Sequence, residues 1–166
     1  DSNDHTVFKN MMTEKSNEET LFALYSPISK NGEWKMEFNF QSGWNQFSFD
    51  DSAWSSYTHG STTQQSSGTL YFRKTFIGIT DMAAVDIQFR YAHGILAFIN
   101  GVEVFRDNLP SGAISPTTPA SGSYATSDYH GVIRPASVAE ASQSVLAVEL
   151  HFTDAASRAI DFNAFL

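Results

Sequence analysis

The side chains best suited to recognition in this 166-residue sequence stand in stretches too polar and irregular to be core strands: Trp44, Tyr57 and His59 within 41–68, Tyr124 and Tyr129 within 107–131. Flat rings cover the C–H faces of a sugar while polar neighbours bind its hydroxyls. These residues are therefore read as ligand-facing, His59 as a donor to a hydroxyl. The alternatives are loop or core burial for Trp44 and Tyr57, and contacts within a mobile loop for Tyr124 and Tyr129. Catalysis finds less support. With no cysteine, a thiolate nucleophile, a thiolate metal site and a disulfide are all excluded. His5, His59, His93, His130 and His151 show no i,i+4 or His-x-His spacing, so a zinc site would have to be assembled across strands. Gly-x-Ser-x-Gly, the phosphate-binding loop and His-Glu-x-x-His are absent, and the acids read as turn formers or strand-surface residues. The expectation is a protein that is not an enzyme.

Composition narrows the partners. The net charge of −8 repels nucleic-acid phosphates and anionic lipid, so neither is an expected partner. No apolar run approaches the roughly 18 residues of a membrane span, and residues 1–20 are polar and acidic, so neither membrane insertion nor a signal-peptide hydrophobic region is expected. With 42% hydrophobic and 14% aromatic residues, the chain can build one aromatic-rich core.

Period-two alternation dictates what positions these groups. Glu33–Phe40 puts Trp34, Met36, Phe38 and Phe40 on one face of a half-buried strand. Leu70, Phe72 and Phe76 share a face opposite Arg73 and Thr75, and Val85, Ile87, Phe89 and Tyr91 alternate with Asp86, Gln88 and Arg90. Asn100-Gly101 between two β-rich runs marks a type I′ hairpin, because both central positions need positive φ. That turn places Ile99 opposite Val102, Phe98 opposite Glu103, Ala97 opposite Val104 and Leu96 opposite Phe105, in a hairpin apolar enough on both faces to be central. Leu146, Val148, Leu150 and Phe152 form another strand face, and 160–166 a terminal strand with Phe162 and Ala164 aligned. About eight strands, no long helix and no βαβ alternation imply an all-β fold, an antiparallel two-sheet β-sandwich. Residues 1–33 are expected to form an N-terminal arm, irregular or short-helical, with a first strand, and 34–166 the sandwich.

The order of motifs along the chain carries a family resemblance. Trp34-Lys35, Phe49-Asp50-Asp51-Ser52-Ala53-Trp54, Tyr71-Phe72-Arg73-Lys74-Thr75-Phe76, the hairpin run Asn100 to Pro110, Leu146-Ala147-Val148-Glu149-Leu150-His151 and Asp161-Phe162 together resemble the galactose-binding-like jelly roll. This is an accessory domain of secreted multidomain proteins, and it is similar to the sugar-binding β-sandwich of family 2 glycoside hydrolases in its Asp-Asp-Ser-x-Trp and Arg-x-x-Phe elements. Departures occur where relatives carry Asp-Asp-Gly and this chain has Ala92-His93-Gly94, and where Gly-x-Asn is replaced by Ser142-Gln143-Ser144.

The resemblance implies a non-catalytic carbohydrate-binding domain of a larger extracellular or cell-surface protein, its partners a glycan or glycoprotein and the neighbouring domains of that parent. The alternative is a structural or protein-protein interaction module without a sugar site. His93, standing where relatives have an acid, joins the candidate ligand donors. Structural calcium is the one cofactor implied, with Asp50, Asp51 and Asp161 as its candidate ligands. Trp54 is expected to plug an end of the sandwich, and Arg73 and Arg106 to pair with Glu149, Glu103 or another carboxylate.

Overall fold

Strand alternation of the kind just described organises nearly every element of the computed structural model, which describes residues 26–61, 64–65, 68–78, 83–122, 129–139, 141–153 and 158–166. The helix considered for residues 1–20, and Tyr124, lie outside these residues. The strands are β1 (Trp34–Glu37), β2 (Ser55–Tyr57), β3 (Gln64–Gln65), β4 (Thr69–Ile77), β5 (Ala84–Tyr91), β6 (Gly94–Ile99), β7 (Val102–Asp107), β8 (His130–Pro135), β9 (Gln143–His151), β10 (Arg158–Ala159) and β11 (Phe162–Phe165), with a 3-10 turn at Ala136–Ala139. Among the described residues no helix is long and apolar enough to cross a membrane.

Two antiparallel sheets face each other. The larger has the order β2-β1-β4-β9-β6-β7 and the smaller β11-β5-β8, while β3 and β10 pair separately. Their inner faces supply one core: Trp34, Phe72, Leu146, Val148 and Ile95 from the larger sheet meet Ile87, Phe89 and Phe162 from the smaller. Phe72 and Phe162 lie with ring centroids 4.3 Å apart, and Trp34 meets Phe162 edge-on at 5.1 Å. Each such pair adds about 0.5–1.5 kcal/mol beyond the apolar area it buries. The all-β sandwich expected from alternation is the fold observed.

Several local expectations are corrected. The strand expected across Glu33–Phe40 stops at Glu37, whose carboxylate accepts from the backbone N–H of Phe38 and Asn39 at 2.7 and 3.0 Å and bends the chain away. Phe38 and Phe40 are consequently exposed. The hairpin turn forms as expected, with φ of 50° at Asn100 and 83° at Gly101. Beyond the first two pairs, however, a bulge between Ala97 and Phe98 shifts the register, so Ala97 faces Phe105 and Leu96 faces Arg106. The hairpin is also not central: β7 is the edge of its sheet, with Val102 exposed. In the stretch 26–33 no strand forms. It crosses the end of the molecule, where Ile28 is fully buried, Leu166 N donates to Ile28 O at 3.1 Å and Ser26 Oγ donates to Leu166 O at 2.8 Å.

Candidate functional site

The segment 38–54 folds back over the outer face of the larger sheet. On β4 and β9, alternation that sends Leu70, Phe72, Leu146 and Val148 inward sends Tyr71, Arg73 and Ala147 outward. Trp44 and Trp54 cover that outer face, forming a second buried cluster with Tyr71 and Ala147 and with Phe49 and Phe98 at its edge. Arg73 pins the segment in place. It is 2% exposed, and its Nε donates to Asp51 Oδ2 at 2.7 Å, its Nη1 to Trp44 O and, at 3.0 Å, to Gln46 O, and its Nη2 to Phe49 O at 3.2 Å. The Asp-Asp-Ser-x-Trp and Arg-x-x-Phe elements are therefore the two halves of one clamp. Trp54 is buried as expected, but on the outside of a sheet rather than at the end of the sandwich.

Two residues read as ligand-facing are buried instead, Trp44 in this outer layer and Tyr57 in the core between the sheets. Trp44 is 4% exposed, with its ring edge-on to Tyr71 and Phe98, and Tyr57 is 2% exposed. The Tyr57 hydroxyl donates to Phe162 O at 2.9 Å, and burial pushes its pKa up to about 12. Neither ring has a face to offer. His93 is likewise buried, its ring against Phe152 with centroids 4.6 Å apart. The segment 107–122, though largely exposed, is held to the sheet through its backbone carbonyls. Thr69 Oγ1 donates to Pro116 O at 2.7 Å, and His151 Nδ1 meets Thr118 O at 2.6 Å. Since a carbonyl can only accept, His151 carries its proton on Nδ1, leaving Nε2 turned to Glu149 Oε1 at 3.4 Å.

Three of the candidate residues do come together, on the open face of the smaller sheet. Asp161, just before β11, accepts from Arg90 of β5 through both oxygens, Nε to Oδ1 at 2.8 Å and Nη2 to Oδ2 at 3.3 Å. His59 Nε2 reaches the same Oδ1 at 3.2 Å. Across the strand pair, Asn163 sits opposite Arg90; its Nδ2 donates to Tyr129 Oη at 2.8 Å and to Asn31 Oδ1. Burial raises the Tyr129 pKa, with Arg90 opposing and Asp161 reinforcing the shift. Lys30 Nζ lies 4.6 Å from the centre of the Tyr129 ring, a cation–π contact, and Phe165 meets that ring edge-on at 5.2 Å. The side chains of His59, Arg90 and Asp161 are 25, 27 and 28% exposed, so the patch is both pre-ordered and open to solvent.

The candidate calcium ligands are committed elsewhere and to different partners. Asp51 is bound to Arg73 of the larger sheet and Asp161 to Arg90 of the smaller. Asp50 accepts from Ser52 N at 3.0 Å, a turn contact that lowers its pKa. Among the described residues no group of three His, Asp or Glu is gathered to hold a metal ion. Arg106 pairs with Glu103 at 2.9 Å, one of the partners expected for it.

Arg90, Asn163 and Lys30 escaped the sequence reading. The usable signal was alternation, since Arg90 and Asn163 are the polar residues flanked by inward-facing apolar side chains on their strands. Nothing local, however, says that these two strands are neighbours.

Comparison with solved structures follows the same architecture. A β-glucuronidase from Bacteroides uniformis superimposes with a TM-score of 0.53 at 17% identity, over 81% of this chain and 17% of that one. A glycosyl hydrolase family 2 member from Bacteroides cellulosilyticus gives 0.52 at 13% identity, over 84% and 20%. The fold is one that family 2 glycoside hydrolases contain. This chain spans only about a fifth of the length of those solved chains. No protein-family model and no curated protein matches the sequence.

Proposed function

We propose that the chain is a non-catalytic carbohydrate-binding module, an accessory domain of a larger extracellular protein of glycoside-hydrolase type, and that glycan is recognised by the patch around Arg90 and Asp161. The observation that carries this reading is the convergence of planar hydrogen-bonding groups beside an aromatic ring. Guanidinium, carboxylate and imidazole are held by one another at 2.8–3.3 Å, and the Asn163 amide on the strand paired with Arg90 holds the Tyr129 hydroxyl at 2.8 Å. Such groups fit the vicinal hydroxyls of a pyranose, and their mutual bonds lower the ordering cost of binding. The fold shared with parts of family 2 glycoside hydrolases supports a role beside a catalytic domain, though fold alone does not assign activity.

Glycan-array screening followed by calorimetry tests the reading. Sugar binding that is lost in Tyr129→Ala and weakened about tenfold in Asp161→Asn, a cost of about 1.4 kcal/mol, supports it. No sugar bound at roughly 10 mM, equivalent to less than about 3 kcal/mol of affinity, rejects it. A second reading, a structural or protein-contact module, draws on Phe38, Phe40 and Phe47, which are 42, 54 and 43% exposed within one stretch of the chain. Rings exposed this closely are the material of an interface with another folded unit. Recovery of glycans alone from native extracts, with no protein partner, removes that second reading.

A further inference from the structure

Asn-Gly occurs twice in the chain, at Asn31-Gly32 and Asn100-Gly101, and the two pairs stand in different surroundings. The pair has a chemistry of its own: with no Cβ beside it, the glycine N can approach the preceding side-chain amide and attack it. Both asparagines are left-handed, with φ of 60° and 50°. The Asn100 amide is bound at both ends. Its Oδ1 accepts from Val145 N and its Nδ2 donates to Ser144 Oγ, both at 3.0 Å, and Asn100 N donates to Val145 O at 3.1 Å. Val145 and Ser144 are fully buried, so turning this amide toward Gly101 leaves buried polar groups without partners. Asn31, by contrast, is exposed. Its N donates to Asn163 Oδ1 at 3.2 Å, and because a backbone N–H can only donate, Asn163 presents its Nδ2 to Asn31 Oδ1. Asn31 Nδ2 bonds nothing among the described residues, and Gly32 N donates to Ser29 O at 3.1 Å across an exposed turn.

We infer that Asn31 is a site of spontaneous modification in the folded protein, converting to aspartate and isoaspartate, while the fold shields Asn100. In this step Gly32 N bonds to Asn31 Cγ, the Cγ–Nδ2 bond breaks and ammonia leaves, closing a five-membered succinimide. Water then adds to one of the ring carbonyls. Opening at Cγ gives aspartate, and opening at the backbone carbonyl gives isoaspartate, whose main chain runs through the side chain. Water is the sole co-reactant, and nothing is oxidised or reduced. Asn163 assists, since its Nδ2 donates to the oxygen on which negative charge develops as Cγ is attacked. Val145 N offers Asn100 the same help, so the difference between the sites lies elsewhere. The departing Nδ2 of Asn31 is unbonded on an exposed residue, where water can protonate it, whereas that of Asn100 is bound to a buried hydroxyl. The Asn31 turn opens at the surface, while Asn100 turns only by parting from β9. The product carries a new negative charge next to Lys30 and against the Asn163 amide that holds Tyr129, at the margin of the Arg90 patch. The inference stands whether or not that patch binds sugar.

The test holds the whole chain at body temperature and mildly alkaline pH, samples it over weeks and maps its peptides by mass spectrometry, each conversion adding one mass unit. Enzymatic methylation of isoaspartate gives a second readout. Asn31 should convert at least about tenfold faster than Asn100, a difference in barrier of about 1.4 kcal/mol. In urea, where both amides lose their partners, the two should convert within about threefold of each other. Gly32→Ala, whose Cβ would stand 3.0 Å from Ser29 O and crowd the attacking nitrogen, should slow conversion of Asn31 at least about tenfold and leave that of Asn100 unchanged. The inference is overturned if Asn100 in the folded chain converts as fast as Asn31, or if Asn31 itself converts about tenfold or more slowly in the folded chain than in urea. It is also overturned if the gap between the two sites persists in urea, which assigns it to local sequence, or if Gly32→Ala converts as the parent does.

Discussion

Arg73→Met removes the pin that holds the segment 38–54 against the sheet, and its cost can be worked from the contacts. The guanidinium has five N–H donors, and four hydrogen bonds issue from them, to Asp51 and to the carbonyls of Trp44, Gln46 and Phe49. Breaking a buried ion pair by deleting one partner costs about 3–5 kcal/mol. Asp51 is 23% exposed and regains water once freed, which places this pair at the lower end of that range. The three carbonyls lose their donor, each worth about 1 kcal/mol net if the segment lifts and they rehydrate. Lifting in turn uncovers Trp44 and Trp54, now 4% exposed each. Stability should therefore fall by about 6 kcal/mol, half from the ion pair and half from the three carbonyls, in urea titrations followed by tryptophan fluorescence. Near-ultraviolet circular dichroism should weaken and iodide quenching should rise, while the far-ultraviolet signal of the strands persists. Arg73→Lys keeps the charge but cannot span four acceptors, and should recover less than half of the loss. A methionine variant within about 1 kcal/mol of the parent, with unchanged quenching, would refute the clamp.

Other consequences are independent of that pin. Asn100→Ala removes a side chain whose Oδ1 accepts from Val145 N and whose Nδ2 donates to Ser144 Oγ, both at 3.0 Å, at a residue with φ of 50°; a loss of about 2 kcal/mol in thermal or urea unfolding is expected. Gly101→Ala places a Cβ 2.1 Å from Gln46 Nε2 at a φ of 83°, so it should lose about 1 kcal/mol or more by the same measurement even if Gln46 swings away. Burial raises the pKa of both Tyr57 and Tyr71 from 10 to about 12, Tyr71 with help from the Glu149 charge. The folded pKa values lie above the unfolded ones, so this contribution to stability is complete below pH 10 and is lost as pH rises through about 12; at its limit it is about 2–3 kcal/mol for each tyrosine. Phenolate absorbance should show at least two tyrosines titrating late, together with alkaline unfolding, and all six tyrosines titrating together near pH 10 in the folded protein would contradict it.

Alternation alone was enough to read the inward faces of β4, β5 and β9, because a strand half buried against a core must repeat its apolar side chains every second residue. Asn100-Gly101 was enough to place the turn, since positive φ at two successive positions excludes most other residue pairs. Register beyond the turn was not legible: the bulge at Ala97 and Phe98 answers to what lies above and below the strand. Nor was the fate of Trp44 and Tyr57. A ring in a polar segment looks available until the packing around it is seen: the bonds from Arg73 hold the Trp44 segment against the sheet, and the core between the sheets takes in Tyr57.

What the sequence by itself determined, then, is the two-layer β architecture, the turn and the order of motifs that mark the family resemblance, because these rest on neighbours one to four residues apart. What only the tertiary structure decided is which groups meet. Arg90 and Asp161 are 71 positions apart and His59 and Asp161 are 102 apart. Their contact follows from the pairing of β5 with β11, a choice settled by how two apolar faces close on one core.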